Sequence, residues 1–493
     1  MLKIGWASAD VTTNEPVGIL GQAQLRISKG AMDPTTITAL YLEDGGDYVT
    51  FISGDFTSID ANFYNEFLAA VKERLPEFDG SKIIFNATHT HTAPWFRDGF
   101  PQLPKDDRLN IYPVSKYRAF LIEQLVNIVA ESSANAKAGA ISYGFASADI
   151  GISRRSTYLY DRGIENTAQN TFAVNGYAAM YGKTDNPGFA GYEGNVDPYV
   201  NLLFTFDEND KLTGAIVNVP CPSQCTEQEE FTSADFWHDT RKLIREKYGD
   251  IFILPQCACA GDLSPRQLHY LDAHARRSQL CYGDNEIVQR YKQKDRYYNR
   301  LYIAEKLARA FDEGIAWATK EKFTEAPIKH VTKVIELERW NVNEQQYVEA
   351  KESLAALEKV EFQHSDDAMA DLDFNSRLCS NRNRSHGVIA RYEDSSETEP
   401  TEIHVLKIGD IAFTSNPAEL YIDFQHRVQA RSPFIQTFMV QLAAQTVGRC
   451  GYIATERAAA NKGYGAISYS CYVSPAGGQT MVNEMVKTLQ EIK

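Results

Sequence analysis

Residues 48–55 read Tyr-Val-Thr-Phe-Ile-Ser-Gly-Asp, and residues 82–94 read Lys-Ile-Ile-Phe-Asn-Ala-Thr-His-Thr-His-Thr-Ala-Pro. Both begin as apolar, β-branched runs of strand length and end in polar residues, with a helical stretch over 63–75 between them. Strand, loop, helix, strand, loop is the unit of a parallel crossover, and it places both loops on one edge of a sheet. The same order returns twice. A strand over 214–218, a helix over about 235–248 and a strand over 251–254 lead into the loop from Cys257 to Pro265. A strand over 411–414, a helix near 419–431 and a strand over 437–442 lead into a loop carrying Gly451-Tyr452. The expected fold is therefore α/β, with mixed β-sheets flanked by helices and six loops lining one cleft at the sheet edge.

Between the units, residues 158–198 are rich in Tyr, Gly and Asn, and are too long for a plain connector. They read as a functional loop, a lid or a set of short strands. Residues 329–338 alternate as a strand, 343–360 are helical, and 361–399 read as polar and loop-like. No proline- or serine-rich linker divides the chain. The 493 residues read as one large catalytic domain with insertions at about 158–198 and 340–400.

A hydrophobic content of 43% and a charged content of 23% are ordinary for a globular protein. A net charge of −15 argues against nucleic acid or an anionic membrane as the main partner. No apolar leader is visible at the start, and no apolar run reaches membrane-spanning length. The expectation is a cytoplasmic enzyme acting on a small-molecule substrate, without membrane insertion; oligomeric state is not legible. Eight cysteines lack scaffold spacing and read as free thiols. Cys221/Cys225 and Cys257/Cys259 resemble halves of a metal site, but neither pair is Cys-x-x-Cys.

Several residues carry chemistry in this pattern. Neutral imidazole ligates metals and titrates near neutral pH, so His89 and His91 at a strand end favour a site over turn capping and packing. Gly261-Asp262-Leu263-Ser264-Pro265 offers a serine as nucleophile or oxyanion donor, although Asp-x-Ser-Pro is also a good turn and no Gly-x-Ser-x-Gly elbow is present. Glu419, where a strand yields to a helix, suits either the helix dipole or a metal. Arg154-Arg155 can bind an anionic or carbonyl group, or lie on the surface. Tyr452 and Tyr464, twelve positions apart, can ligate metal or donate to an oxyanion.

Taken in order, these blocks resemble the catalytic domain of the neutral/alkaline ceramidase family, zinc amidases that cleave the N-acyl bond of sphingolipids. Ala7-Ser8-Ala9-Asp10-Val11-Thr12 with Pro16-Val17-Gly18 is similar to the family's opening, and Ser53-Gly54-Asp55 to its first acidic strand end. Thr88-His89-Thr90-His91-Thr92-Ala93-Pro94 resembles its His-Thr-His-Ser-Gly-Pro. Ser233-Ala234-Asp235-Phe236 and the Asp262–Ser264 loop match two further blocks. The resemblance implies that His89, Glu419 and Tyr452 hold zinc and that His91, Arg155 and Tyr464 meet the substrate carbonyl. It also implies that Ser264, beside Asp262, is catalytic.

Two departures stand out. The family's second zinc histidine sits in Asn-x-x-Cys-His-Pro, whereas Asn218-Val219-Pro220-Cys221-Pro222-Ser223-Gln224 has none. Cys221, or His238, is the candidate replacement, since zinc accepts thiolate as readily as imidazole. The family's immunoglobulin-like domain has no counterpart up to Lys493. The implied activity is hydrolysis of an amide or related acyl bond in a small soluble substrate. The alternatives are a carbohydrate-active lyase or glycosidase without zinc, with residues 158–198, Trp95 and Trp237 stacking on sugars, and a metal-free binding protein.

Overall fold

Asp47–Gly54 and Ile83–Ala87 are strands paired in parallel and joined by the helix Ala61–Arg74, which the Asp60 carboxylate caps. In this computed structural model, which describes residues 1–97, 103–163, 176–283, 294–449 and 451–493, the other two expected crossovers are present as well. Leu212–Val219 pairs in parallel with Phe252–Cys257 across the helix Phe236–Tyr248. Ile411–Ser415 pairs in parallel with Gln436–Val440 across the helix Ile422–Gln429.

The first two crossovers close the two edges of one eight-stranded sheet, whose remaining neighbours are antiparallel. The third belongs to a four-stranded sheet with Ile328–Glu338 and Thr398–Ile408. The sheets pack face to face. Leu40, Phe51, Ile216 and Leu254 of the first meet Leu406, Phe413 and Phe438 of the second, with the Phe51 and Phe413 rings 4.8 Å apart. The alternate residues point outward. Ile37, Ala39 and Ile52 pack on the helices Ala61–Arg74 and Val114–Ala134, and Leu202, Phe204 and Val217 pack beside Phe236 and Leu307. Val405 and Ala412 meet Phe424, Met481 and Leu489 on the far side. The order of layers is helix, sheet, sheet, helix, so central strands are covered on both faces and read as continuous apolar runs.

Two expectations need correction. Residues 368–393, read as loop, form one helix, Ala368–Glu393, capped by Asp367 and packed on Glu344–Glu358. Its buried face mixes Leu372, Leu378 and Val388 with Asp371, Asn375 and Ser385, so apolar periodicity alone underestimates it. The helix expected near 419–431 is shorter, because Glu419–Leu420 is first a two-residue strand. Within 158–198, Ala178–Met180 and Phe189–Tyr192 pair on either side of Arg155–Tyr158, while 164–175 lie outside the described residues. Among the described residues no helix is long and apolar enough to cross a membrane.

Candidate functional site

The loops that follow the parallel strands meet at the carboxyl ends of those strands, where Ala87 N–H donates to the Leu442 carbonyl and Gln441 N–H to the Cys257 carbonyl. His89 comes two residues after Ile83–Ala87 with a left-handed φ of 64°, a conformation that costs energy in a non-glycine residue. This turn breaks the strand alternation and brings the His89 and His91 rings together edge to face, with their Nε2 atoms 3.3 Å apart. His89 Nδ1 donates to the Thr57 carbonyl at 2.6 Å, which leaves Nε2 bearing the lone pair. Glu419 Oε2 lies 3.6 Å from that nitrogen.

From Glu419 the contacts continue into a closed ring. Arg154 Nη2 lies 3.3 Å from Glu419 Oε2 and 3.2 Å from the Tyr452 hydroxyl, and its Nη1 donates to the Tyr181 hydroxyl at 3.2 Å. Tyr181 donates to Gln224 Oε1 at 3.3 Å, and the Gln224 amide donates to His91 Nε2 at 2.8 Å. His91 then returns to His89. Tyr452 is brought in by the backbone, because Tyr452–Ile453 pairs in parallel with Glu419–Leu420. The cleft above, about 740 Å³, is lined by His89, His91, Trp95, Glu419, Tyr452 and Tyr464.

The charges are set by burial and by these partners. Burial first, and then the adjoining His89 imidazole and the Arg26 and Arg154 guanidiniums, push His91 well below the usual imidazole range, so it is neutral. Burial would raise Glu419, but His89 and Arg154 outweigh it and hold the carboxyl below its ordinary value. Burial pushes the Tyr452 phenol well up, so it remains a hydrogen-bond donor. Burial opposes the Arg154 charge too, yet Tyr452, Tyr181 and Glu419 more than compensate.

Other expected residues lie off this ring. Ser264 sits behind Tyr181, 3.4 Å from its hydroxyl, and accepts the Arg266 N–H. Asp262 accepts the Ile422 N–H at the start of a helix, and burial raises it to about 7. Arg155 points away from the ring: it forms a buried ion pair with Glu193 and donates to the carbonyls of Tyr464 and Lys462. Residue 154 lies between the short strands Ile152–Ser153 and Arg155–Tyr158, and of the two arginines it is Arg154 whose side chain joins the ring. Cys221 likewise points into the core beside Val219 and Trp237, its thiol on the Ile150 carbonyl at 3.5 Å and its pKa driven well up by burial. His238 sits in the first turn of its helix and Trp237 is buried, so neither lines the cleft. Tyr181 and Gln224 were not singled out by sequence reasoning. The only signals for them were the tyrosine-rich insertion and the segment that lacks a histidine.

A zinc ion fits these residues poorly. His89 Nε2, Glu419 Oε2 and the Tyr452 hydroxyl converge, but the Arg154 guanidinium lies within hydrogen-bond distance of both oxygens. Two unit charges about 4 Å apart repel by about 4 kcal/mol at an effective dielectric near 20, and a divalent ion doubles this. Catalytic zinc usually takes three protein ligands, and Tyr452 supplies a third only by ionising against its burial. Among the described residues the one cluster of three His, Cys, Asp or Glu side chains with metal-like spacing is Asp106, His364 and Asp371. Arg108 already bridges its two carboxylates at 2.5 and 2.8 Å. Cys221, Cys225, Cys257 and Cys259 form no such cluster and are buried free thiols.

No family model and no curated protein matches the chain. Among solved structures, the neutral ceramidase from Pseudomonas aeruginosa is similar with a TM-score of 0.64 and 17% identity, covering 99% of this chain and 75% of that one. A ceramidase complexed with C2 matches with a TM-score of 0.64 and 16% identity over the same shares. At this identity the likeness is one of fold, and it extends over 99% of this chain. The chain is thus a distant, neutral-ceramidase-like protein in its α/β architecture.

Proposed function

We propose that the protein hydrolyses an amide or related acyl bond of a small-molecule substrate in the cleft above His89. What supports this reading is the closed ring of contacts among His89, His91, Gln224, Tyr181, Arg154 and Glu419: in it His89 serves as the base, and Arg154 with Tyr452 as the oxyanion donors. A water hydrogen-bonded to His89 Nε2 on the cleft side attacks the carbonyl carbon, and its proton passes to His89. Glu419, 3.6 Å away, stabilises the imidazolium that forms. The oxyanion receives N–H from Arg154 and O–H from Tyr452. The same proton returns from His89 to the leaving nitrogen as the carbon–nitrogen bond breaks, giving an acid and an amine, while neutral His91, 3.3 Å away, holds the His89 ring in place. Tyr464, its ring 5.5 Å from that of Tyr452, forms the wall beside the carbonyl.

A second reading, a carbohydrate-active enzyme using the same acid–base pair, is favoured by Trp95 and Tyr472 in the cleft wall and by Arg97, Arg384 and Arg449 around it. Aromatic faces and arginines suit a sugar with an anionic substituent. Incubation with a panel of N-acyl amines and amino acids, alongside aryl glycosides and uronide oligosaccharides, decides between the two. Release of free amine supports the hydrolase, and turnover confined to the sugars overturns it.

A further inference from the structure

Three residue facts at this site point the same way. The position where a second zinc histidine would stand is Pro222, Cys221 has turned into the core, and Arg154 has its guanidinium against both oxygen donors. We propose that the Arg154 guanidinium is the resident cation of this site, in the place that His89, Glu419 and Tyr452 would otherwise offer to a metal ion. The proposal concerns the same cleft but is independent of which bond is cleaved there.

Arg154 is built into the fold rather than loosely leaning on the cleft. Its backbone N–H donates to the Asp262 carbonyl at 2.9 Å, its carbonyl accepts the Tyr181 N–H at 2.6 Å, and its Nη2 donates to the Gly261 carbonyl at 2.8 Å. The side chain is almost wholly buried, at 3% exposure. The Nη2 group, bonded to the Gly261 carbonyl at 2.8 Å, shares its second N–H between the Glu419 and Tyr452 oxygens at 3.3 and 3.2 Å, and the guanidinium keeps its charge at every physiological pH. A metal ion entering the same space would have to displace it from two partners and sit beside a like charge. The guanidinium performs one task of a Lewis acid, stabilising negative charge on the substrate oxygen. It has no vacant orbital at which a water would be coordinated and ionised as on a metal, so the proton-accepting task falls to His89.

The test is zinc binding to the full-length protein, read by metal analysis after equilibrium dialysis and by the ultraviolet tyrosinate band that Tyr452 would show on ligating zinc. The wild type is expected to retain substoichiometric zinc and give no tyrosinate change. Arg154→Met is expected to bind zinc about 10–100-fold more tightly, with the band appearing. Arg154→Lys, which keeps the charge, stays with the wild type. Stoichiometric zinc held by the wild type overturns the proposal, and this arm stands even if Arg154→Met does not fold. A folded Arg154→Met no tighter for zinc than the wild type overturns it as well. Absence of amide hydrolysis, with the zinc results as expected, removes the hydrolase reading and leaves Arg154 as the cation.

Discussion

Glu419 lies directly opposite Tyr452 in a parallel pair of two-residue strands. This short ladder, not the helix that follows it, fixes where the carboxylate and the phenol stand. Arg154, held from a separate strand end, then meets both at 3.3 and 3.2 Å. Three segments far apart in the chain therefore share one charge-balanced point, and its consequences can be measured.

In the proposed mechanism the two histidines act as one unit, His91 positioning the His89 base. His89→Ala and His91→Ala are each expected to lower kcat/KM by about 10²–10⁴-fold, the range of general acid–base catalysis. The double variant is expected to lose little more than the worse single one, because residues acting as a unit are not additive. Steady-state kinetics on an N-acyl substrate checks this, and multiplicative losses would separate their roles.

Arg154 and Arg155 are expected to differ in kind. Arg155→Met leaves Glu193 buried without its ion pair, at a cost of about 3–5 kcal/mol. Urea denaturation measures it. Arg154→Met is expected to lose most of its activity through the oxyanion site, about 10²–10³-fold in kcat.

Cys221→Ser is expected to leave kcat unchanged and to cost about 1–3 kcal/mol, as for a hydroxyl placed in an apolar core. Cys225→Ser should behave alike, since both thiols are buried and both are pushed well up by burial. A selective loss of activity in Cys221→Ser would return that sulfur to the site.

Asp262 gives a pH signature. Burial raises it to about 7 in the fold, against about 3.9 in an unfolded chain. Between those values the native state holds the proton and the unfolded state does not, so stability falls as pH rises through that window. The contribution is complete below about pH 4 and lost above about pH 7. Asp262→Asn keeps an acceptor for the Ile422 N–H and removes a slope of up to about 1.4 kcal/mol per pH unit. Denaturation of both proteins at about pH 5 and about pH 8 should show the variant gaining on the wild type only at the higher pH.

The parallel crossovers were legible because each strand is a short apolar run, each helix lies between two such runs, and the loops carry the polar residues. His89, Glu419 and Tyr452 were legible because polar side chains concentrate where buried strands end, whereas Tyr464, beyond a helix, was legible only through its spacing from Tyr452 and the resemblance. The helix Ala368–Glu393 was hidden because its buried face is half polar, and periodic apolarity is the only signal a single sequence offers for packing.

By itself the sequence determined the α/β class, the three crossovers and the strand ends at which the site forms, since these follow from local hydrophobic pattern and chain connectivity. The choice between two adjacent arginines depended on which of the two side chains met the cleft, and the direction of Cys221 depended on how the core packed around it. The Tyr181–Gln224 bridge and the meeting of Arg154 with Glu419 and Tyr452 join segments whose separation in sequence carries no trace of their contact. Only the tertiary structure decided these, because side-chain direction, burial and the charge of a neighbour are properties of the packed chain.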